Sequence, residues 1–306
     1  MIEPANFAAL VDKAMILSGR GHMRPVIEKE LLHYDILFSL DKEGLLDILT
    51  FQGGTSLRLC YGAPRFSEDL DFAGGRNFAG RQMAKMKECL EHYIGARYSL
   101  DVLVKEPREL RDEPHHDGLI VDKWQLTVVS APGQRHLPRQ RIKIEVANVP
   151  AYSRIPRGLQ TNYDFLPDGY GDTLVLTETL DEIMADKLVS LVNTQRYVRH
   201  RDIWDLRWLK QAGTTINHEW VNNKIHDYRV NDYGLKLESI WQRLPEIISG
   251  EGFKSEMARF LPVEVQERTF MKDKFCDYLT SEVRGMLDEV RRGMSVNPST
   301  GNQFES

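Results

Sequence analysis

Residues 51–75, FQGGTSLRLCYGAPRFSEDLDFAGG, constrain this chain more than any other part of its sequence. Two aspartates, Asp69 and Asp71, stand one residue apart in a run that predicts a β-strand over residues 67–72. Alternate side chains of a strand point to the same face, so we expect the two carboxylates to lie side by side. Carboxylates this close repel each other unless a cation lies between them, and Mg²⁺ is the usual cation where all ligands are oxygens.

A glycine pair, Gly53 and Gly54, comes 16 positions before Asp69 and predicts a phosphate-binding turn. Glycine has no Cβ, so the backbone can approach a ligand closely, and a short helix over residues 55–59 is expected to follow. The free N–H groups at a helix N-terminus favour phosphate. Either feature alone is common in ordinary turns and surface loops. Together they predict a triphosphate held between a metal site and a glycine turn.

Length and charge limit the possible classes of protein. A chain of 306 residues is long enough for two domains, which we place at residues 1–175 and 176–306. The 40 Lys and Arg against 45 Asp and Glu give a net charge of −5, which argues against a dedicated nucleic-acid-binding domain of high pI. Basic residues nevertheless cluster in residues 135–157 and 196–207. These clusters are either ordinary solvated surface or a surface for an RNA backbone.

The sequence predicts a cytoplasmic protein. It contains no run of about 18 apolar residues that could span a membrane, and its N-terminus lacks the features of a secretory signal. Its three cysteines, Cys60, Cys89 and Cys276, are odd in number and scattered, which is typical of a reducing compartment.

The strand predicted over residues 141–146 alternates charged and apolar residues. Arg141, Lys143 and Glu145 are expected on one face and aliphatic residues on the other. Glu145 is therefore a candidate third carboxylate for the metal, although ordinary surface charge on an edge strand would produce the same pattern. Further helices are predicted over residues 6–18, 25–49 and 80–97, further strands over 99–104 and 123–130, and a connecting region over 150–167. The rest of the chain is predicted to be helical, including one long helix over residues 265–292.

A helix predicted from Thr179 to about residue 196 carries Lys187 at the edge of its apolar stripe. A buried ammonium needs a counter-charge, which could be an acidic residue of the other domain or a nucleotide phosphate. Ser190 lies near the same face and could bind a phosphate or a sugar hydroxyl, or be simple helix surface. Farther on, Arg201 and Asp205 have the spacing of an ordinary helical ion pair, with Asp202 about 100° aside.

Four motifs in order, GGTSLRLCYG…RFSEDLDF, RIKIEV, EIMADKLVSL and RHRDIWDL, resemble those of the AbiEii/AbiGii (MenT-like) toxin nucleotidyltransferases. These toxins belong to the DNA-polymerase-β-type nucleotidyltransferase superfamily, and the resemblance covers roughly residues 25–210. It implies an α/β (α+β) fold, with a nucleotidyltransferase-fold mixed β-sheet domain flanked by helices. An all-helical C-terminal domain would follow and complete the nucleotide pocket.

The resemblance also implies roles for individual residues. Those expected to bind the nucleotide, with Ser190 added from the helix pattern, are Gly53, Gly54, Thr55, Ser56, Lys143, Lys187, Ser190, Arg201 and Asp205. The family often has a serine beside the first glycine, whereas Thr55 and Ser56 follow the pair here, so the hydroxyl that touches phosphate stays open. The expected ligands of Mg²⁺ or Mn²⁺ are Asp69, Asp71 and Glu145, and the expected catalytic residues are these three with Lys187 and Asp202.

The implied reaction is transfer of a nucleoside monophosphate from an NTP to an acceptor hydroxyl, with pyrophosphate leaving. The resemblance points to a tRNA 3′ end as the acceptor and to a cognate antitoxin that restrains the toxin in a type IV-like or abortive-infection system. Three alternatives remain: an AMPylation-type enzyme acting on a protein hydroxyl, a nucleotide-sugar glycosyltransferase, and a non-catalytic binding protein.

Overall fold

The computed structural model describes residue 2 and residues 4–16, 21–130, 139–193 and 197–296. The chain divides into two compact units. Unit 1 comprises Met1–Glu178 and Arg259–Pro262, and unit 2 comprises Thr179–Ala258 and Val263–Ser306. The division into separate domains at residue 175 stays a prediction.

Unit 1 is built on a seven-stranded sheet with the order β3-β4-β5-β2-β1-β7-β6. Strand β2 pairs in parallel with β5, and β1 pairs in parallel with β7, while the other neighbouring pairs are antiparallel. The sheet is therefore mixed, which confirms the predicted fold class. The strands are β1 Thr50–Gln52, β2 Leu70–Ala73, β3 Val102–Lys105, β4 Val121–Val128, β5 Gln140–Ala147, β6 Ile155–Gly158 and β7 Leu174–Thr177.

Helices cover one face of this sheet. They are α1 Phe7–Ile16, α2 Arg24–Lys42, α3 Gly53–Tyr61 and α4 Met86–Tyr98, with 3₁₀ turns at Gly21–Met23 and Gly80–Met83. Alternate residues of β4 and β5, among them Trp124, Leu126, Ile142 and Ile144, are fully buried in one core with apolar residues of α2 and α4. Because strand side chains alternate, the residues between them point to the opposite face.

Unit 2 contains only helices in the residues described. They are α5 Leu180–Val192, α6 His200–Gln211, α7 His218–Asp227, α8 Tyr233–Ser249, α9 Glu251–Ala258, α10 Val263–Arg268 and α11 Asp273–Val296. This agrees with the predicted all-helical C-terminal part. Across the described helices of both units, none combines the length and the apolar character needed to cross a membrane.

Three predicted segments differ from the structure. The helix predicted over residues 25–49 ends at Lys42, because Gly44 turns the chain with a φ of 67°. The helix predicted over residues 265–292 is broken into α10 and α11 at a turn that contains Phe270, whose ring is buried against Trp204 at a centroid distance of 6.5 Å.

The third difference concerns strands β6 and β7. The region 150–167 was predicted to be a connection, yet it contains β6, which forms the edge of the sheet. Pro156 lies in β6, and proline is tolerated at an edge because its missing N–H faces no neighbouring strand. Each of the two strands has four residues, too few for a clear alternation in the sequence.

Candidate functional site

The predicted carboxylates of unit 1 meet on strands β2 and β5. Asp71 and Glu145 are directly paired positions in this parallel pair, so their side chains leave the same face of the sheet on strands about 4.8 Å apart. Asp69 lies one residue before β2 rather than inside it, and its Oδ1 accepts a hydrogen bond of 3.0 Å from the backbone N–H of Lys143. The structure thus places all three acidic residues around the start of β2.

Two helices hold the backbone before β2 in place. The Thr55 hydroxyl of α3 donates to the Asp69 carbonyl. From α2, His33 Nε2 lies 3.0 Å from the Glu68 carbonyl oxygen. Burial lowers the pKa of His33 to about 4 despite this hydrogen bond, so the ring is neutral at pH 7 and Nε2 carries the proton that it donates. The chain around Asp69 is therefore held by α2 and α3 as well as by β5.

Two exposed lysines compensate the charge of these carboxylates. Lys123 Nζ lies 3.1 Å from Glu145 Oε1, and Lys143 Nζ lies 3.9 Å from Asp69 Oδ2. The lysine side chains are 60% and 55% exposed, and ion pairs in such surroundings contribute little stability. Carboxylates are the donors that Mg²⁺ or Mn²⁺ prefers, so these residue types suit the predicted metal, whose site stays a prediction. Sequence reasoning missed Lys123, although it lies on the polar side of β4, in alternation with the buried Trp124.

Gly53 of the glycine pair lies against the Asp71 carboxylate, and Gly54 lies against Arg65 and Ser67. Gly53 begins α3 with a φ of 79°, and a Cβ on it would lie 2.9 Å from Asp71 Oδ2. A Cβ on Gly54 would lie 2.4 Å from Nη2 of Arg65 and 3.2 Å from Oγ of Ser67. Arg65 and Ser67 are themselves buried, so neither can move aside easily. The first backbone N–H groups of α3 are thus beside the acidic group, as the spacing of 16 residues predicted.

The hydroxyls that follow the glycines are engaged inside unit 1. Thr55 and Ser56 are both buried. Thr55 bonds to the Asp69 carbonyl, and Ser56 Oγ lies 3.0 Å from Oγ1 of Thr177 on β7. In this arrangement both hydroxyls join α3 to neighbouring strands.

In unit 2, Lys187 lies at the centre of a buried group of polar side chains. Its Nζ is 2.7 Å from Asp202 Oδ1 and 3.0 Å from Asp205 Oδ2. The Ser190 hydroxyl donates to Asp202 Oδ2 at 2.7 Å. The sequence suggested a counter-charge from the other domain or from a phosphate, whereas the structure supplies it from α6 of the same unit. The decisive spacing is that of Asp202 and Asp205, three residues apart on one helix face.

Basic neighbours act on the electrostatics of Asp202. Burial raises the pKa of this carboxyl, but Lys187 and Arg199 together outweigh burial, so the pKa lies below the usual 3.8. Arg199 Nε is 3.8 Å from Asp202 Oδ2. Arg201, the first residue of the predicted RDxxD motif, has its Nε 3.6 Å from Glu256 Oε1 on α9. Asp202 is therefore ionised throughout the neutral range.

A second buried cation of unit 2 supports the same helix. Lys224 on α7 is fully buried, and its Nζ lies 2.8 Å from Glu182 Oε1 and 3.1 Å from Asp186 Oδ2. Glu182 and Asp186 are four residues apart on α5, the helix that carries Lys187. Sequence reasoning missed this triad, because nothing local distinguishes Lys224 from a surface lysine.

A family model described as nucleotidyl transferase AbiEii toxin, type IV toxin–antitoxin system, matches residues 35–281. The chain belongs to this family. The resemblance inferred from the four motifs is therefore confirmed, and the protein is a member of a family of nucleotidyltransferase toxins. No curated protein matches the chain significantly.

The chain is also similar to solved structures. MenT4, the nucleotidyltransferase toxin Rv2826c from Mycobacterium tuberculosis H37Rv, is 20% identical with a TM-score of 0.52, over 94% of this chain and 98% of that one. JHP933 from Helicobacter pylori is 15% identical with a TM-score of 0.43, over 90% of this chain and 95% of that one. The likeness to MenT4 shows that the fold is shared.

Proposed function

We propose that this AbiEii protein transfers a nucleoside monophosphate from an NTP to a hydroxyl of RNA, with a tRNA 3′ end as the acceptor and pyrophosphate as the leaving group. One observation carries the proposal: Asp71 and Glu145 are paired across parallel strands, with Asp69 beside them and the Gly53 turn against Asp71. Phosphoryl transfer requires positioning and charge neutralisation more than covalent chemistry, and this arrangement would supply both once it holds a divalent cation.

In this proposal Asp69, Asp71 and Glu145 hold Mg²⁺ or Mn²⁺, which would offset the charge that develops on the attacking and leaving oxygens. The backbone N–H groups of Gly53 and Gly54 bind the polyphosphate in this proposal, which the close approach of Gly53 to Asp71 supports. Thr55 and Ser56 contribute through their backbone, because their hydroxyls bond to Asp69 and Thr177. Lys143 lies beside Asp69 and adds positive charge for the nucleotide.

The roles proposed for unit 2 concern the leaving group and the acceptor. Lys187 neutralises the departing phosphates, and Asp202 orients the base, the sugar or the acceptor. Ser190 and Asp205 keep these two groups in position through the contacts that they make with them. Arg201 is proposed to bind the nucleotide beside them. A preformed cluster of this kind lowers the reorganisation needed when substrate arrives.

We further infer that a cognate antitoxin restrains this protein and that both act in the cytoplasm. The family match supports this inference, because the matched family is one of type IV toxin–antitoxin systems.

The direct test is incubation of the full chain with Mg²⁺ and each of the four α-labelled NTPs, in the presence of total tRNA and, separately, of total protein. We expect label from at least one NTP in the RNA fraction and a matching amount of pyrophosphate. Asp69→Ala should abolish the transfer. Asp112→Ala is the matched control, because Asp112 is 76% exposed and pairs only at the surface with Arg81, 2.9 Å away.

The outcome also separates the alternatives. Label in the protein fraction alone would replace RNA by a protein hydroxyl as the acceptor. Absence of label from both fractions, with no pyrophosphate released by the wild type, would refute nucleotidyl transfer.

A further inference from the structure

The face of the sheet opposite the core carries an ordered array of exposed and partly exposed residues on β3, β4, β5 and the adjoining β2, here called the open face. The register places them in three rows across the strands. Lys105, Gln125 and Lys143 form one row, and Leu103, Thr127 and Arg141 form the next. A third row, Lys123, Glu145 and Asp71, continues onto β2 and contains two of the proposed metal ligands.

The open face is basic in the rows away from Glu145 and Asp71. Lys105, Lys123, Arg141 and Lys143 are all exposed, and the acidic members of the three rows are Glu145 and Asp71 at one corner. Rows lie about 7 Å apart and neighbouring strands about 4.8 Å apart, so the array extends about 13 Å along β5 and about 14 Å across the strands. A strip of positive charge therefore leads away from the acidic corner.

The helices of the core do not cover this array. Alternate residues on the same strands, Val104, Trp124, Ile142 and Ile144 among them, are buried on the face that packs with α2 and α4. Leu103, within the array, is 60% exposed. Lys123 and Lys143 compensate Glu145 and Asp69 at one end of the open face, and Lys105 and Arg141 extend its positive charge beyond those pairs.

Position in the sequence did not reveal this surface. The basic segment 135–157 contributes Arg141 and Lys143 to the open face, but its later arginines lie elsewhere. Arg157 is on β6, at the opposite edge of the sheet, with its guanidinium 4.5 Å from the centre of the Tyr61 ring. Arg154 donates to the Asp47 carbonyl at 3.2 Å. Lys105 and Lys123 come from two other strands, so the surface is assembled by strand pairing.

We propose that the open face binds the sugar–phosphate backbone of the RNA acceptor and directs its 3′-terminal hydroxyl towards the carboxylates of β2 and β5. The proposal rests on the proposed function and adds where the acceptor lies. Charge complementarity selects this occupant: the array offers flexible ammonium groups and a guanidinium at regular spacing, and a phosphodiester chain offers one negative charge per nucleotide. Each phosphate neutralised releases counterions, which gives affinity without dependence on sequence.

The test is binding of fluorescently labelled, unfractionated tRNA to the full chain without NTP, at several salt concentrations. The test variants are Lys105→Gln, Arg141→Gln and the double variant, which leave the proposed metal and nucleotide ligands intact. At about 0.15 M salt we expect the double variant to bind roughly tenfold more weakly, and the slope of log affinity against log salt to fall by about 1.4. Lys85→Gln is the control for charge alone, since Lys85 is 73% exposed directly before α4 in the helical layer.

Equal tRNA affinity for the wild type and the double variant would overturn the proposal, and so would an equal loss in Lys85→Gln. In the labelling assay, the double variant should raise the KM for tRNA and leave the KM for NTP unchanged. Because binding is measured without NTP, RNA binding by the open face and nucleotidyl transfer are tested independently of each other. Intact, salt-dependent binding through the open face with no label transfer would refute the proposed function alone.

Discussion

The acidic groups proposed for the site are partly exposed in unit 1 and buried in unit 2. In unit 1, Asp69, Asp71 and Glu145 lie partly exposed on the open face, and the lysines paired with Glu145 and Asp69, Lys123 and Lys143, are more than half exposed. In unit 2, Lys187 is enclosed by Asp202 and Asp205 at hydrogen-bonding distance, and all three side chains are at most 10% exposed.

This difference separates exposed, weakly paired charges from buried charges that the protein compensates internally. Weak surface ion pairs can be exchanged for a metal ion or a phosphate at little cost. A buried pair is different, because removing one partner leaves the other charge without water or counter-charge. Substitutions in unit 1 are therefore expected to change activity with little effect on stability, and substitutions in unit 2 to change stability as well.

The largest effect is expected for Asp71→Asn in unit 1. Loss of a metal ligand removes several kcal/mol of transition-state stabilisation, so label transfer should fall about 10³-fold. The free energy of unfolding should stay within about 0.5 kcal/mol or rise, because Asp71 and Glu145 are like charges on paired positions. Label transfer and urea unfolding of the same preparation measure both quantities. A large loss of stability would contradict the comparison.

A comparable change in free energy of about 3–5 kcal/mol, now in the free energy of unfolding, is expected for Lys224→Met in unit 2. The substitution removes the ammonium shared by Glu182 and Asp186 from a site that is fully buried at Lys224. Urea unfolding of this variant measures the loss.

Lys210→Met is the matched control in the same unit. Lys210 Nζ lies 3.1 Å from Glu282 Oε2, a similar distance, but its side chain is 47% exposed. A loss of less than about 1 kcal/mol is expected for this surface pair. Equal losses in the two variants would show that burial does not decide the cost.

The smallest effect is expected for Asp202→Asn, and it should depend on pH. The pKa of Asp202 is lowered in the folded protein, because Lys187 and Arg199 outweigh the opposing effect of burial. Its ionic contribution is therefore complete above about pH 4 and is lost as the pH falls through the folded pKa. At pH 7 the variant should lose about 1–3 kcal/mol of unfolding free energy.

The check is the difference in unfolding free energy between wild type and Asp202→Asn from pH 7 down to pH 3. It should be constant to about pH 4 and narrow below that. Asp112→Asn, at an exposed surface pair in unit 1, should differ from wild type by no more than about 0.5 kcal/mol throughout. If the difference in unfolding free energy instead grew as the pH fell, the pKa of Asp202 would be raised in the folded protein, not lowered.

Much of the fold could be predicted from the sequence because it depends on local pattern. The alternation in residues 141–146 predicted β5 and the face of Glu145, and Gly53 and Asp71 were expected near each other from the short segment between them. The predicted bounds of helices and strands were wrong where the local sequence pattern was weak or where a contact distant in sequence ended a helix. Examples are the four-residue strands β6 and β7, and the turn at Phe270, which is buried against Trp204.

The sequence by itself determined the family, the mixed sheet followed by helices, and the kinds of residue gathered at each motif, because these follow from spacing along the chain. Only the tertiary structure decided the partners of the charged groups. Lys187 is paired by α6 of its own unit, Lys224 is buried against α5, and Lys105 joins Arg141 on one sheet face. Strand register and helix packing bring together residues that are distant in sequence, and electrostatic pairing depends on distance in space and on burial.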